Sequence, residues 1–144
     1  EDMSGIRHTG IYVNDLPKMV AFYMDVFDLK IAVHQKESGT YTDTIFQEHS
    51  VEIEVFKLSF EDQTMIELIQ YAHQNTLPNW QEKIYQCGKM HIAITVDSTE
   101  EMYYKLKNKH CELLSKPCMS SDGKAKVFFA RDLEGNYLEL VEEQ

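Results

Sequence analysis

In the first half of the chain, strand-like and helix-like hydrophobic patterns alternate. Residues 6–13 are rich in β-branched and aromatic side chains and predict a strand. Asn14 and Asp15 can cap a helix, and Pro17 suits its first turn. Apolar residues then follow at the spacing of one helix face: Leu16, Met19, Val20, Tyr23 and Phe27. Further strands are predicted at about 30–36, 43–48, 51–60 and 64–70.

The second half repeats this order after a break in the pattern. Residues 71–87 contain Asn and Pro at loop-forming positions and predict a connector. A strand at 89–96 follows, and then a helix that ends at about Asn108 and begins with a capping box of Ser98 and Glu101. Strands are predicted near 111–115, 126–131 and 136–142. We therefore expect one domain over residues 1–144, with module 1 at about 5–71, a connector at about 72–88 and module 2 at about 89–144.

The two halves can be aligned residue by residue. The segment that begins at His8 matches the one that begins at His91, at an offset of 83 residues. The last strands also match, because MIELI carries Glu67 where YLELV carries Glu139. Each half therefore has the order β-α-β-β-β, with a histidine in its first strand and a glutamate in its last. The repeat predicts an α+β fold made of two βαβββ modules.

The repeated histidines and glutamates are candidate metal ligands. Each glutamate lies in an apolar run, and a buried carboxylate needs a partner. Neither half shows an obvious Lys or Arg at a facing position. Two neutral imidazoles and two carboxylates would instead balance a divalent ion, and ligands of this kind suit Ni, Co, Zn, Mn or Fe(II). We therefore predict a metal site formed by four residues: His8, Glu67, His91 and Glu139.

The other histidines and the cysteines show no matching pattern. Four histidines lack a repeat partner and are predicted to lie on the surface: His34, His49, His73 and His110. The three cysteines, Cys87, Cys111 and Cys118, form no CxxC motif. We expect them to be small buried side chains rather than parts of a disulfide framework.

Through these repeated histidines and glutamates, the chain resembles the vicinal oxygen chelate superfamily, and within it glyoxalase I. The resemblance covers residues 6–142 and rests on RHTGIYVNDL, AFYMDVFDLKI, MIELI, MHIAITVD and FFARDLEGNYLELVE. It implies paired βαβββ modules whose strands form an open, cup-shaped mixed sheet around one metal. It also places His8, Glu67, His91 and Glu139 on the four metal positions. Both glutamates are then candidate catalytic residues, and Glu139 corresponds to the usual base of the family.

The resemblance further implies a lactoylglutathione lyase type of activity. Such enzymes isomerise the hemithioacetal of methylglyoxal and glutathione, and the short form of the chain is similar to bacterial enzymes that use Ni or Co. Two alternatives stay open: a methylmalonyl-CoA epimerase-like isomerase, in which Gln usually stands at position 67, and a ligand-sequestering protein of the bleomycin-resistance type. Tyr12 departs from the pattern, because glyoxalase I usually has Arg at that position.

The net charge and the hydropathy of the chain limit which partners and which cellular compartment are expected. The formal net charge of −10 disfavours nucleic acid and anionic membranes as partners. No apolar run approaches the roughly 20 residues of a membrane span, and the first 30 residues contain no signal-peptide core. We therefore expect a cytoplasmic protein that acts on a small molecule, possesses no membrane or nucleic-acid partner and forms a homodimer.

Overall fold

The computed structural model describes residues 4–72 and 77–144. It divides the chain into two compact units, Glu1–Leu77 and Pro78–Gln144. The part of the predicted connector at 73–76 lies outside the described residues, and so does His73.

Unit 1 is a four-stranded mixed sheet with two helices. Its elements are β1 (Thr9–Tyr12), α1 (Leu16–Phe27), β2 (Lys30–Ser38), α2 (Thr40–Phe46), β3 (Glu52–Ser59) and β4 (Met65–Tyr71). The strand order is β1-β4-β3-β2, with β1 parallel to β4 and the other neighbours antiparallel. Side chains of one sheet face, including Leu58, Ile66 and Leu68, are completely or almost completely buried.

Helix α1 forms where its sequence signals predict it. The Asp15 carboxylate accepts a hydrogen bond from the Lys18 backbone N–H at 3.2 Å, and the helix ends at Asp28, which adopts a left-handed conformation. Four of the five predicted face residues are buried, while Phe27 is half-buried. Burying each large apolar side chain contributes about 1.5–3 kcal/mol, so this face holds the helix on the sheet.

The strand predicted at 43–48 is wrong, because Thr40–Phe46 forms helix α2. Its β-branched and aromatic residues favour a strand by composition, but Asp43 forms hydrogen bonds that only a folded-back chain allows. Its carboxylate accepts from the backbone N–H groups of Ser50 at 3.1 Å and Val51 at 2.8 Å. Phe46 then packs edge-on against Tyr71 of β4. These side-chain to backbone hydrogen bonds and the tertiary packing therefore override strand propensity here.

Unit 2 has the same plan without the extra helix. Its elements are β5 (His91–Thr95), α3 (Thr99–Asn108), β6 (Cys118–Met119), β7 (Ala125–Arg131) and β8 (Tyr137–Glu143). The order is β5-β8-β7-β6, and β5 is parallel to β8. The predicted Ser98 cap is confirmed, because Ser98 Oγ accepts from the Glu101 N–H at 3.1 Å. Together the units confirm the predicted α+β fold of two βαβββ modules with open sheets.

The strand predicted at 111–115 is reduced to one bridge between Leu113 and Ala130. The segment runs beside β7 only briefly, with a hydrogen bond from Leu114 N to Phe129 O at 2.9 Å. Pro117 lacks an N–H group and cannot donate to a continuing ladder. The second strand of the module therefore consists only of the short β6.

The described end of the connector is fastened to unit 2 by a buried arginine. Arg131 is 4% exposed, and its guanidinium donates to the carbonyl oxygens of Trp80 at 2.6 Å and Glu82 at 2.5 Å. The Trp80 ring lies over this guanidinium and against Gly135, where an added Cβ would come within 3.4 Å of the ring. Tyr137 completes the cluster by donating to the Glu82 carbonyl at 2.8 Å.

The cysteines differ from their predicted burial. Cys87 and Cys118 are exposed, and Cys111 is half-buried. Burial, followed by the nearby charge of Asp132, raises the pKa of the Cys111 thiol to about 11. The thiolate is the reactive form, so Cys111 is almost entirely unreactive at neutral pH.

Replacing Arg131 with Met should lower the free energy of unfolding by about 3 kcal/mol, because two carbonyl groups lose a charged donor. Urea denaturation measures this change. The exposed Arg7→Met variant is the control and should stay within about 0.5 kcal/mol of the parent protein. Equal stability of the two variants would contradict the anchoring role of Arg131.

The thiols should react in two classes at pH 8. The exposed Cys87 and Cys118 should be alkylated readily by iodoacetamide, and Cys111 much more slowly, because it is half-buried and its raised pKa leaves little thiolate. A Cys87→Ser/Cys118→Ser double variant isolates Cys111, whose rate should climb steeply between pH 8 and 10. Mass spectrometry of the labelled protein measures all three rates, and equal rates would refute the assignment.

Candidate metal centre

In unit 1 the predicted histidine and glutamate are neighbours. His8 directly precedes β1, Glu67 lies in the middle of β4, and the parallel register pairs Gly10 with Glu67. The distance from His8 Nε2 to Glu67 Oε1 is 3.4 Å, and the two side chains are 25% and 17% exposed. The carboxylate is therefore half-buried on the sheet face opposite Ile66 and Leu68, as strand alternation predicts.

The surroundings of His8 select one ring nitrogen for ligand binding. Nδ1 is buried and has no hydrogen-bond partner among the described residues. Nε2 is the nitrogen that faces the Glu67 carboxylate. Any shared ligand of the two side chains would therefore contact Nε2 of the imidazole.

Sequence reasoning missed a cation beside Glu67, so the expectation that no Lys or Arg faces the glutamates is wrong for unit 1. Lys57 lies directly across from Glu67 in the β3–β4 register, and its Nζ is 3.9 Å from Glu67 Oε2. The alternation of β3, in which Ile53, Val55 and Lys57 share a face, is the signal that could have located it. Predicting the facing pair also required the strand register.

Tyr12 lies near the same carboxylate. It occupies the end of β1 and is exposed over more than half of its surface. Partial burial, and then the negative charge of Glu67, raises the pKa of its phenol above the usual value of 10.0. The phenol therefore stays protonated at neutral pH and can donate a hydrogen bond, but it carries no charge.

Unit 2 contains the matching pair. His91 begins β5, and the register pairs Ala93 with Glu139. The distance from His91 Nε2 to Glu139 Oε1 is 3.1 Å, and the Glu139 side chain is 24% exposed. Phe129 lies opposite Glu139 in β7 and meets the His91 ring edge-on, with 5.3 Å between ring centroids. Unit 2 therefore has an aromatic ring where unit 1 has Lys57.

The separation of each pair fits two ligands of one ion. Two donor atoms that each lie about 2.1 Å from an ion, at octahedral to tetrahedral angles, are about 3.0–3.4 Å apart. Both Nε2–Oε1 distances fall in that interval. Within the described parts of either unit, no cluster of three or more His, Cys, Asp or Glu side chains exists that could hold a metal alone. Each unit thus supplies two candidate ligands.

The other predicted surface histidines are exposed where the structure describes them, namely His34, His49 and His110. His34 is engaged by Glu54, with Nε2 2.7 Å from Oε2, and its ring stacks on Phe56.

In the described ranges there is no helix that is both long and apolar enough to cross a membrane.

Comparison with curated proteins identifies one relative across most of the chain. An uncharacterized protein of Bacillus subtilis, YwbC, is 27% identical over 139 residues, which cover 95% of this chain and 96% of the relative.

Solved structures share the fold at lower identity. A glyoxalase family protein of Bacillus cereus has a TM-score of 0.89 at 19% identity, covering 99% of this chain and 96% of its own. The trypanothione-dependent glyoxalase I of Leishmania major has a TM-score of 0.69 at 20% identity, covering 98% and 88%. The fosfomycin resistance protein FosX of Listeria monocytogenes, complexed with Mn(II) and sulfate, has a TM-score of 0.63 at 19% identity, covering 99% and 95%.

The family model of the Glyoxalase/Bleomycin resistance protein/Dioxygenase superfamily matches residues 5–140, which include both histidine–glutamate pairs. The chain therefore belongs to this superfamily, as its repeated βαβββ modules and its sequence resemblance predicted.

Proposed function

We propose that this protein is a divalent-metal-dependent lyase or isomerase of the glyoxalase I type. The proposal rests mainly on the repeated pair, in which a histidine Nε2 and a glutamate Oε1 lie 3.1–3.4 Å apart at matched positions of both units. Two such pairs, from one chain or from two chains of a homodimer, would provide four ligands: His8, Glu67, His91 and Glu139. Ni, Co and Zn suit this ligand set, and so do Mn and Fe(II).

The proposed chemistry is an isomerisation of a hemithioacetal formed by a 2-oxoaldehyde and a thiol. A bound divalent ion would act as a Lewis acid for the adjacent oxygens of the substrate. A glutamate carboxylate takes the proton from the thiol-bearing carbon and returns it to the neighbouring carbonyl carbon. The hydroxyl proton moves to the second oxygen, and the product is a 2-hydroxy thioester. The reaction balances without an external oxidant or reductant.

Glu139 is the better candidate for the base. Its Oε1 faces His91, and its cross-strand neighbour is the uncharged ring of Phe129. Glu67, in contrast, has His8 near one oxygen and the ammonium group of Lys57 near the other. Both oxygens of Glu67 therefore already face a nitrogen, and Glu139 is the usual base in the enzymes that the sequence resembles, so we assign Glu67 to metal binding and Glu139 to proton transfer.

The glyoxalase I and FosX neighbours support a small-molecule substrate and a divalent metal. Fosfomycin-resistance transferases of the superfamily use two histidines and one glutamate as ligands. The repeat here provides two glutamates, so a glyoxalase I substrate is favoured over a fosfomycin-type substrate. Tyr12 would contribute a neutral hydroxyl donor beside Glu67, at the position where glyoxalase I usually has Arg.

Metal should stabilise the fold. At a thousandfold excess over the dissociation constant, Ni²⁺ or Zn²⁺ should raise the free energy of unfolding by about 4 kcal/mol through ligand linkage. Thermal melting in EDTA and in added metal measures the shift. His91→Gln should remove most of it, whereas the exposed His110→Gln variant should retain it. Identical melting curves of the parent protein with EDTA and with metal would refute the metal centre.

Glu139→Gln should reduce turnover of the methylglyoxal–glutathione adduct by about 10²–10⁴-fold while metal remains bound, because the amide keeps an oxygen but loses the base. Glu143→Gln, on the same strand, is the matched control and should keep full activity. Thioester formation at 240 nm and metal content measure the two effects. A metal-loaded parent protein that binds thiol adducts without turning them over would instead indicate the ligand-sequestering class.

A further inference from the structure

The two halves of the repeat differ in charge at one matched position. Lys57 lies opposite Glu67 across the β3–β4 ladder, and Phe129 lies opposite Glu139 across the β7–β8 ladder. The backbone positions are equivalent, but among residues 4–72 and 77–144 only Lys57 of unit 1 places a cation beside a candidate ligand. The histidines and glutamates, in contrast, are the same at matched positions of the two units.

The contact between Lys57 and Glu67 is electrostatic rather than a hydrogen bond. Its length of 3.9 Å exceeds the 2.7–2.9 Å usual for a charge-assisted N–H···O bond. The Lys57 side chain is 24% exposed, so its ammonium group is partly shielded from water. The contact with Glu67 therefore leaves its N–H donors available to another acceptor on this face of the sheet.

Lys57 also changes the charge of the proposed centre. In the proposed centre the carboxylates of Glu67 and Glu139 would balance a divalent ion, and the histidines would bind it as neutral ligands. The ammonium group of Lys57 then leaves one positive charge uncompensated. The Lys57 charge is half-buried and acts on a bound ligand at short range. The acidic groups that give the chain its net charge of −10 act from longer distances, where salt screens them.

We propose that Lys57 is a specificity-determining residue that makes the metal centre select ligands with an anionic oxygen, such as a carboxylate, over neutral ligands of the same shape. Its ammonium group donates a charge-assisted hydrogen bond to that oxygen. The inference rests on the proposed metal-dependent function, and it adds a preference for the charge of the substrate that the four ligands alone do not impose.

Pyruvate and its neutral amide, pyruvamide, test this preference. They share the vicinal oxygen atoms but differ in charge. The full-length protein is loaded with Co²⁺, and changes in its visible spectrum measure the affinity for each probe. The parent protein should prefer pyruvate. Lys57→Met should weaken pyruvate binding by about tenfold or more and leave pyruvamide binding nearly unchanged.

Three variants separate the effect of charge from an effect on folding. Lys57→Arg retains the cation and should retain the preference, whereas Lys57→Gln is a second neutral replacement in case Lys57→Met fails to fold. Lys30→Met removes a lysine charge from the end of β2 in the same unit and should have no effect. Co²⁺ itself should bind several-fold more tightly to Lys57→Met and Lys57→Gln, because a repelling cation is gone.

The outcomes distinguish the two proposals. Failure of the parent protein to bind Co²⁺ would overturn the metal centre and this inference with it. If Co²⁺ binds but pyruvate affinity is the same in the parent protein and in both neutral variants, Lys57 does not determine specificity and the metal centre stands. A loss of pyruvate binding in Lys57→Arg equal to that in Lys57→Met would also overturn the role of charge.

Discussion

In each unit a parallel ladder joins the first strand to the last, and the candidate chemistry depends on its register. Because Gly10 pairs with Glu67 and Ala93 with Glu139, the preceding histidine in each case reaches the glutamate from the neighbouring strand. A slip of one residue would turn either glutamate to the opposite face, among Leu68 or Leu140, where a carboxylate is costly. The apolar packing of that opposite face therefore fixes the position of the polar pair.

The repeat conserves the backbone plan while its side chains diverge. Unit 1 inserts helix α2 between β2 and β3, whereas unit 2 passes from α3 to the short β6. The residue opposite the glutamate is charged in one unit and aromatic in the other. Carboxylates in matched positions thus experience different environments, and this is the physical condition under which two similar groups acquire different chemical roles.

The sequence was sufficient to predict features that depend on local spacing. The face of α1, the Ser98 cap and the pairing of His8 with Glu67 all follow from periodicity or from the alignment of the two halves. Helix α2 was missed because Asp43 caps backbone groups seven and eight residues away, and composition does not reveal such bonds. Lys57 was missed for a related reason: cross-strand neighbours depend on register, which no local pattern specifies.

The buried charge of Arg131 has a structural role, in contrast to the functional role proposed for Lys57. It lies on the same sheet face as Glu139, two residues after Phe129 on β7, yet its guanidinium is occupied by the carbonyls of Trp80 and Glu82 and by the hydroxyl of Tyr137. Lys57, which has one long contact to Glu67 within the part of the chain that the structure describes, is held far less completely. The terminal nitrogens of Arg131 are held by these acceptors and fix the chain around them, whereas the Lys57 ammonium group can respond to a ligand. The number of hydrogen bonds already made, together with deeper burial, therefore separates the structural cation of unit 2 from the candidate functional cation of unit 1.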